Sequence, residues 1–270
     1  MRAGQRCPAL IASGVGTLRA VPSHDDAVAP SAMRIPRPPD AAPGRPAPWH
    51  ELAPERRLVS VASLGRALEG AGRSLGVDPP EPLDELTGVP ADVTERLVDA
   101  AVLVAAFEES GAARVVLTRR AGTLRRHRGE VSFPGGRIEP GETPLAAAMR
   151  EAHEEVGLDP DAVRPVAWLR PIVTFASGAV IRPYVAMLEQ RPALVAQPSE
   201  VERAFDVALD ELLAEGSYRE EVWRRRSPRA PGADGTFPIS FFEADGETIW
   251  GATARILTEL CCLAVGVAPR

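Results

Sequence analysis

Residues 136–158 read GRIEPGETPLAAAMREAHEEVGL, and no other stretch constrains this chain as tightly. Pro144 opens a run of good helix formers, and Thr143 is placed to cap it. Gly157 sits where a helix ends in a left-handed residue, with Pro160 just beyond. The pattern predicts a helix over 144–156, entered from a loop that Gly135, Gly136 and Gly141 allow to turn tightly. On such a helix Glu151, Glu154 and Glu155 stand at i, i+3 and i+4 and share one face. Three carboxylates on one stripe repel each other unless a cation lies among them. Oxygen ligands alone favour hard ions, Mg2+ or Mn2+ rather than zinc. Such an ion neutralises phosphate oxygens and acidifies a bound water.

The fixed residues follow the spacing G-x5-E-x7-R-E-A-x-E-E-x-G-L, filled by Gly136, Glu142, Arg150, Glu151, Glu154, Glu155, Gly157 and Leu158. This resembles the Nudix box of the Nudix hydrolases. The resemblance implies metal-assisted cleavage of a diphosphate. Glu151 and Glu155 would be the first metal ligands, and Glu154 a third ligand or the base. Arg150 would brace the loop through Glu142.

A second motif lies upstream. Val116-Leu117-Thr118-Arg119-Arg120-Ala121 runs through Arg125 and Gly129 to Phe133-Pro134-Gly135-Gly136. It is similar to L-L-T-x-R-[SA]-x3-R-x3-G-x3-F-P-G-G of the coenzyme A pyrophosphatase branch of that family, with Val116 replacing the first Leu. Downstream, Pro198-x-Glu200-Val201 and Ile249-Trp250-Gly251-x-Thr253-Ala254-Arg255 also resemble that branch, so the likeness spans about residues 98–265. It implies cleavage of coenzyme A or its thioesters to 3',5'-ADP and 4'-phosphopantetheine or its acyl form. Arg119, Arg120, Arg125, Arg126, His127 and Arg128 crowd ten residues, and guanidinium groups pair with phosphate in a planar, bidentate way. Arg119, Arg125, Arg128, Gly135 and Gly136 are the expected substrate contacts, and Glu200 is a candidate remote carboxylate. His127 reads as a packed or solvated loop residue. The loop Glu139-Pro140-Gly141-Glu142-Thr143 has the generic form rather than the aspartates frequent in that branch. This leaves open another nucleoside diphosphate derivative: ADP-ribose, a nucleotide sugar or an oxidised nucleoside triphosphate. A ligand-binding regulator on the same fold is a third reading, disfavoured because every box carboxylate is present.

The rest of the chain sets the frame. Net charge is −6, with no global basic footprint for nucleic acid. The three cysteines, Cys7, Cys261 and Cys262, cannot build a disulfide framework and are expected reduced, with the adjacent pair buried. No membrane span and no secretory signal are expected, which points to the cytoplasm. A small nucleotide is the expected partner, and a homodimer is expected by analogy with related enzymes. Residues 1–49, rich in Pro, Ala, Gly and Ser, are expected to be disordered. A helical appendage and Pro-rich linker fill 50–97, with apolar residues at helical spacing over 60–72 and Pro79-Pro80-Glu81-Pro82 following. The catalytic domain is expected over 98–268. Its signals are a hairpin over 101–117, strands near 130–133, 164–173, 180–188, 204–208, 236–242 and 248–250, a short helix near 210–214, a loop from Arg224 to Asp234 and a closing helix over 253–265. A mixed sheet covered by helices on both faces, an α/β/α sandwich of Nudix type, is the expected fold.

Overall fold

The computed structural model describes residue 33 and residues 35–75, 97–124, 127–174, 178–226 and 234–269. Strand β1 (Ala42–Pro43) and a 3-10 turn (Pro54–Arg57) precede helix α1 (Val61–Gly70). There follow β2 (Val98–Glu109), β3 (Ala112–Arg120), β4 (Val131–Ser132), β5 (Gly135–Arg137) and helix α2 (Pro144–Val156). Next come β6 (Arg164–Trp168), β7 (Ile172–Thr174), β8 (Ala179–Met187), β9 (Val201–Ala208) and the short helix α3 (Leu209–Leu213). The chain closes with β10 (Tyr218–Arg226), β11 (Asp234–Ala244), β12 (Glu247–Trp250) and helix α4 (Gly251–Ala264).

β2 and β3 form the expected hairpin, turning at Ser110 and Gly111, both with positive φ. Their pairing runs only from Glu109↔Ala112 to Ala106↔Val115. Beyond that point the strands separate and residues 131–137 enter the gap: β4 pairs with β3, and β5 with β2. β8 lies parallel to β2 on the other side, β6 and β7 pair with β8, and β9 pairs with β3.

Strand alternation divides the apolar residues between two cores. Ala101, Leu103, Ala105 and Phe107 of β2 meet Ala147, Ala148, Ala152 and Val156 of α2. Val104 and Ala106, with Val115 and Leu117 of β3, face the other side and join Leu64, Leu68, Phe242, Ile249, Leu257 and Leu260. The arrangement is the α/β/α sandwich read from the sequence. Cys261 and Cys262 are buried in it without a disulfide, whereas Cys7 lies outside the described residues. Among the described residues no helix is long and apolar enough to cross a membrane.

Three expectations change. Residues 35–49 take defined positions: β1 pairs with β10, and Trp49 is 1% exposed. Trp49 stacks on Phe242 at 6.1 Å and meets Tyr218 edge-on at 5.4 Å. Helix α1 packs into the main core through Leu64 and Leu68, because the sheet face opposite α2 needs cover. Arg224, Arg225 and Arg226 end a strand rather than begin a loop, within a second sheet ordered β1-β10-β11-β12. Residues 1–32, the linker prolines 79, 80 and 82, and residues 227–233 lie outside the described residues.

Trp49→Ala should lower the unfolding free energy by about 3–5 kcal/mol, the usual range for a buried large aromatic. A urea melt would show this. An unmoved midpoint would mean that residues 35–50 hang free of the core.

Candidate active site

The helix that carries the carboxylates is tied at both ends. Thr143 accepts the Ala146 N–H on Oγ1 at 3.2 Å, and Pro144 supplies the first turn without a wasted donor. Gly157 stops the helix at φ 71°, its N–H reaching His153 O. The loop before β9 covers the last carbonyls: Val195 donates to Val156 O and Gln197 to Glu155 O, both at 2.9 Å. That loop also delivers Glu200, whose carbonyl accepts the Ala121 N–H at 2.8 Å.

Gly135 and Gly136 bring the entering segment close. A Cβ on Gly135 would lie 2.3 Å from Ala101 O, and one on Gly136 2.4 Å from Glu151 Oε1. No side chain fits at either place without moving backbone or carboxylate. The close approach aims the Gly135 N–H at Glu155 Oε2, at 3.1 Å.

Glu155 is the most buried carboxylate of the box, 3% exposed. Burial pushes its pKa up to about 7. The Gly135 N–H and the Arg120 guanidinium, 3.7 Å away, pull it back, while the charges of Glu151 and Glu200 push it further up. Glu151, also raised, owes this first to burial, partly offset by a 3.0 Å bond from Arg150 Nη1. Arg150 holds Glu142 with two bonds, Nε at 3.0 Å and Nη2 at 3.1 Å, and reaches Glu154 at 3.1 Å and the Arg137 carbonyl at 3.2 Å. Glu142 is held below the usual carboxylate range by the Arg150 bonds, then by the Glu139 N–H, and Arg150 is raised in turn, chiefly by Glu142. The loop before α2 is thus locked to the helix by a bidentate pair.

The box carboxylates have different surroundings. Glu155 and Glu151 point under the entering glycines; Glu154, 57% exposed, turns to Arg150. Among the described residues no three Asp, Glu, His or Cys side chains close on one point. Even so, the donor chemistry of Glu151 and Glu155 fits a hard divalent cation: two oxygen ligands, one helical turn apart, whose burial and mutual repulsion disfavour their charged forms.

The basic flank divides by strand alternation. Arg119 points away from α2 and donates to Glu247 Oε1 at 2.8 Å and Glu202 Oε1 at 3.0 Å, with its side chain only 11% exposed. It braces two sheets through these two bonds. Arg128 donates Nε to the Leu124 carbonyl, and His127 pairs with Glu130 at 2.8 Å. Arg125 lies outside the described residues. Arg120, absent from the expected contacts, is the guanidinium that reaches the box; among the described residues the Nε atoms of both Arg119 and Arg120 are buried without a hydrogen-bond partner. The signal was in the strand period: Arg120 shares a face with Val116, which packs on the α2 side, and Arg119 must face the other way.

A glycine-led approach, a bidentate Arg–Glu lock and the buried Glu155 beside the half-buried Glu151 suit an α/β/α sandwich that holds a hard cation against a phosphate group. Residues 97–229 match the NUDIX domain family. The chain is 32% identical over 229 residues to Nudix hydrolase 3 of Caenorhabditis elegans, covering 78% of this chain and 92% of that protein. It is 39% identical over 175 residues to the chloroplastic Nudix hydrolase 22 of Arabidopsis thaliana, covering 62% of this chain and 55% of that protein. Among solved structures, a MutT/nudix family protein from Enterococcus faecalis is similar at 17% identity and a TM-score of 0.40, over 77% of this chain and 73% of that one. The chain belongs to the Nudix hydrolase family. It is a pyrophosphohydrolase, and enzymes of this family use divalent metal ions.

In chelator, Glu155 should make the protein less stable as pH rises. Its folded pKa near 7 lies above its ordinary value of 4.5. Its stabilising contribution is therefore complete below about pH 4.5 and lost as pH rises through 7, a swing on the order of 3 kcal/mol. Thermal melts from pH 4.5 to 8 should fall less steeply in Glu155→Gln, and Mn2+ should raise the wild-type melting temperature more at pH 8 than at pH 5. Parallel profiles for the two proteins would refute the assignment.

Proposed function

We propose that this enzyme hydrolyses the diphosphate of coenzyme A or its thioesters, yielding 3',5'-ADP and 4'-phosphopantetheine or its acyl form. The observation that carries the reading is the flank from Val116 to Gly136, whose Arg120 lies 3.7 Å from the buried Glu155 while Gly135 offers its N–H beside it. Mg2+ or Mn2+ would be held by Glu151 and Glu155, with Glu154 as a third ligand after release from Arg150; when bound, the ion offsets phosphate charge and acidifies a water. Arg120 adds a positive charge beside the carboxylates, and its guanidinium can pair with a phosphate oxygen. Water oxygen bonds to phosphorus, the bridging P–O bond breaks, and the bridging oxygen leaves with the other phosphate. The water's proton passes to a carboxylate at the rim, Glu154 or Glu200. Most of the barrier is lowered by positioning and charge neutralisation. We place the reaction in the cytoplasm, with a small nucleotide as partner and a homodimer as the assembly.

The generic loop Glu139-Pro140-Gly141-Glu142-Thr143 favours a second reading, in which the substrate is ADP-ribose, a nucleotide sugar or an oxidised nucleoside triphosphate. A panel of these compounds and coenzyme A, each with Mg2+ or Mn2+ and product masses read by spectrometry, separates the two. Release of 3',5'-ADP from coenzyme A as the fastest reaction is the expected result; turnover of another compound alone would replace the substrate. Glu155→Gln should reduce kcat at least about 100-fold, since ion and charge placement are worth several kcal/mol.

A further inference from the structure

Both ends of the loop that carries the basic flank are tied to the C-terminal part of the chain. On the incoming side, Arg119, next to last in β3, is gripped by Glu247 at 2.8 Å, and Glu247, only 10% exposed, is also held by Arg203 at 3.2 Å. On the outgoing side, Thr253 in the first turn of α4 is buried and donates its hydroxyl to the Val131 carbonyl of β4 at 2.9 Å. Between these ties the Arg120 N–H reaches Glu130 O at 3.0 Å, and the Gly129 N–H reaches Arg120 O at 3.1 Å. β12 and α4 lie beyond residue 229, where the family match stops.

The ties bear on the reaction through strand geometry. Adjacent side chains on a strand face opposite sides, so holding Arg119 on the second sheet holds Arg120 toward α2. A register shift between Arg119 and Arg120 in the β3–β9 pairing makes this the place where the strand could otherwise swivel. Val131 leads within four residues to Gly135, whose N–H meets Glu155. The two partners of the buried carboxylate therefore hang from strands that β12 and α4 hold.

We propose that β12 and the first turn of α4 form a positioning clamp for the diphosphate site, in which Glu247 and Thr253 keep Arg120 and the Gly135 amide against Glu155. The clamp deepens the reading of this site as a diphosphate hydrolase and rests on it for its kinetic consequence.

Thr253→Val keeps the shape and removes the donor, leaving the Val131 carbonyl unsatisfied. Glu247→Gln keeps the shape and removes the charge. Thr258→Val is the control, because the Thr258 hydroxyl bonds Ala254 O within α4 itself. Amide hydrogen exchange at Arg120 and Gly129 is read in the full chain without substrate, and steady-state kinetics are read with coenzyme A and Mg2+. The expected result is exchange about tenfold faster at both amides in Thr253→Val and Glu247→Gln, with α2 and β8 still protected. kcat/KM should fall about tenfold in the same two variants, equivalent to about 1.4 kcal/mol. Thr253→Ser restores both readouts, and Thr258→Val changes neither. Folded variants with unchanged exchange overturn the clamp. So does faster exchange with unchanged kcat/KM, and so does an equal loss in Thr258→Val. If exchange responds as expected but wild-type protein leaves coenzyme A intact, the clamp stands and the substrate reading falls.

Discussion

The site depends on a backbone approach that only glycine allows. β2 and β3 part after four residue pairs, and Gly135 enters the gap so closely that a Cβ would sit 2.3 Å from the Ala101 carbonyl. This contact puts the Gly135 N–H on Glu155, and Gly136 leaves room for the Glu151 carboxylate directly above it. The strands' separation, the entering segment and the carboxylates beneath α2 are one arrangement: removing the glycines would fill the space that the carboxylates occupy.

Charge is distributed around that arrangement with little redundancy. Arg150 takes Glu142 bidentately and shares its third nitrogen between Glu151 and Glu154, so the loop, the helix and the rim move as one. Glu155 lacks such a partner. It has one amide and one guanidinium at 3.7 Å, and burial outweighs both, leaving a carboxylate that gains most from an added cation. A stabilised lock beside a destabilised buried carboxylate is the usual division at a functional site.

The helix of the box was legible because its signals are local: Thr143, Pro144 and Gly157 set its ends, and the three glutamates set its face. The β2–β3 hairpin and the division of apolar residues between two cores were legible for the same reason, since strand period is local too. Trp49 and residues 35–49 were misread because a Pro- and Ala-rich composition carries no record of a distant partner; β10 and Phe242 supply it. Arg224, Arg225 and Arg226 read as loop for a similar reason, as their strand pairing is with residues 234–236 across a Pro- and Gly-containing segment.

The sequence by itself determined the class of chemistry. The spacing of Gly136, Glu142, Arg150, Glu151, Glu154 and Glu155 encodes both a helix face and the loop that feeds it, and each part is short-range. Strand period puts Arg119 and Arg120 on opposite faces, and tertiary structure decided what lies against each face. Two neighbouring arginines are equivalent in composition, but Arg119 meets Glu202 of the adjoining β9 and Glu247 of β12 in the second sheet, while Arg120 faces Glu155. The physical reason is that a side chain's partner is set by which face of the strand is turned to which neighbour, and that depends on strands far away in the chain.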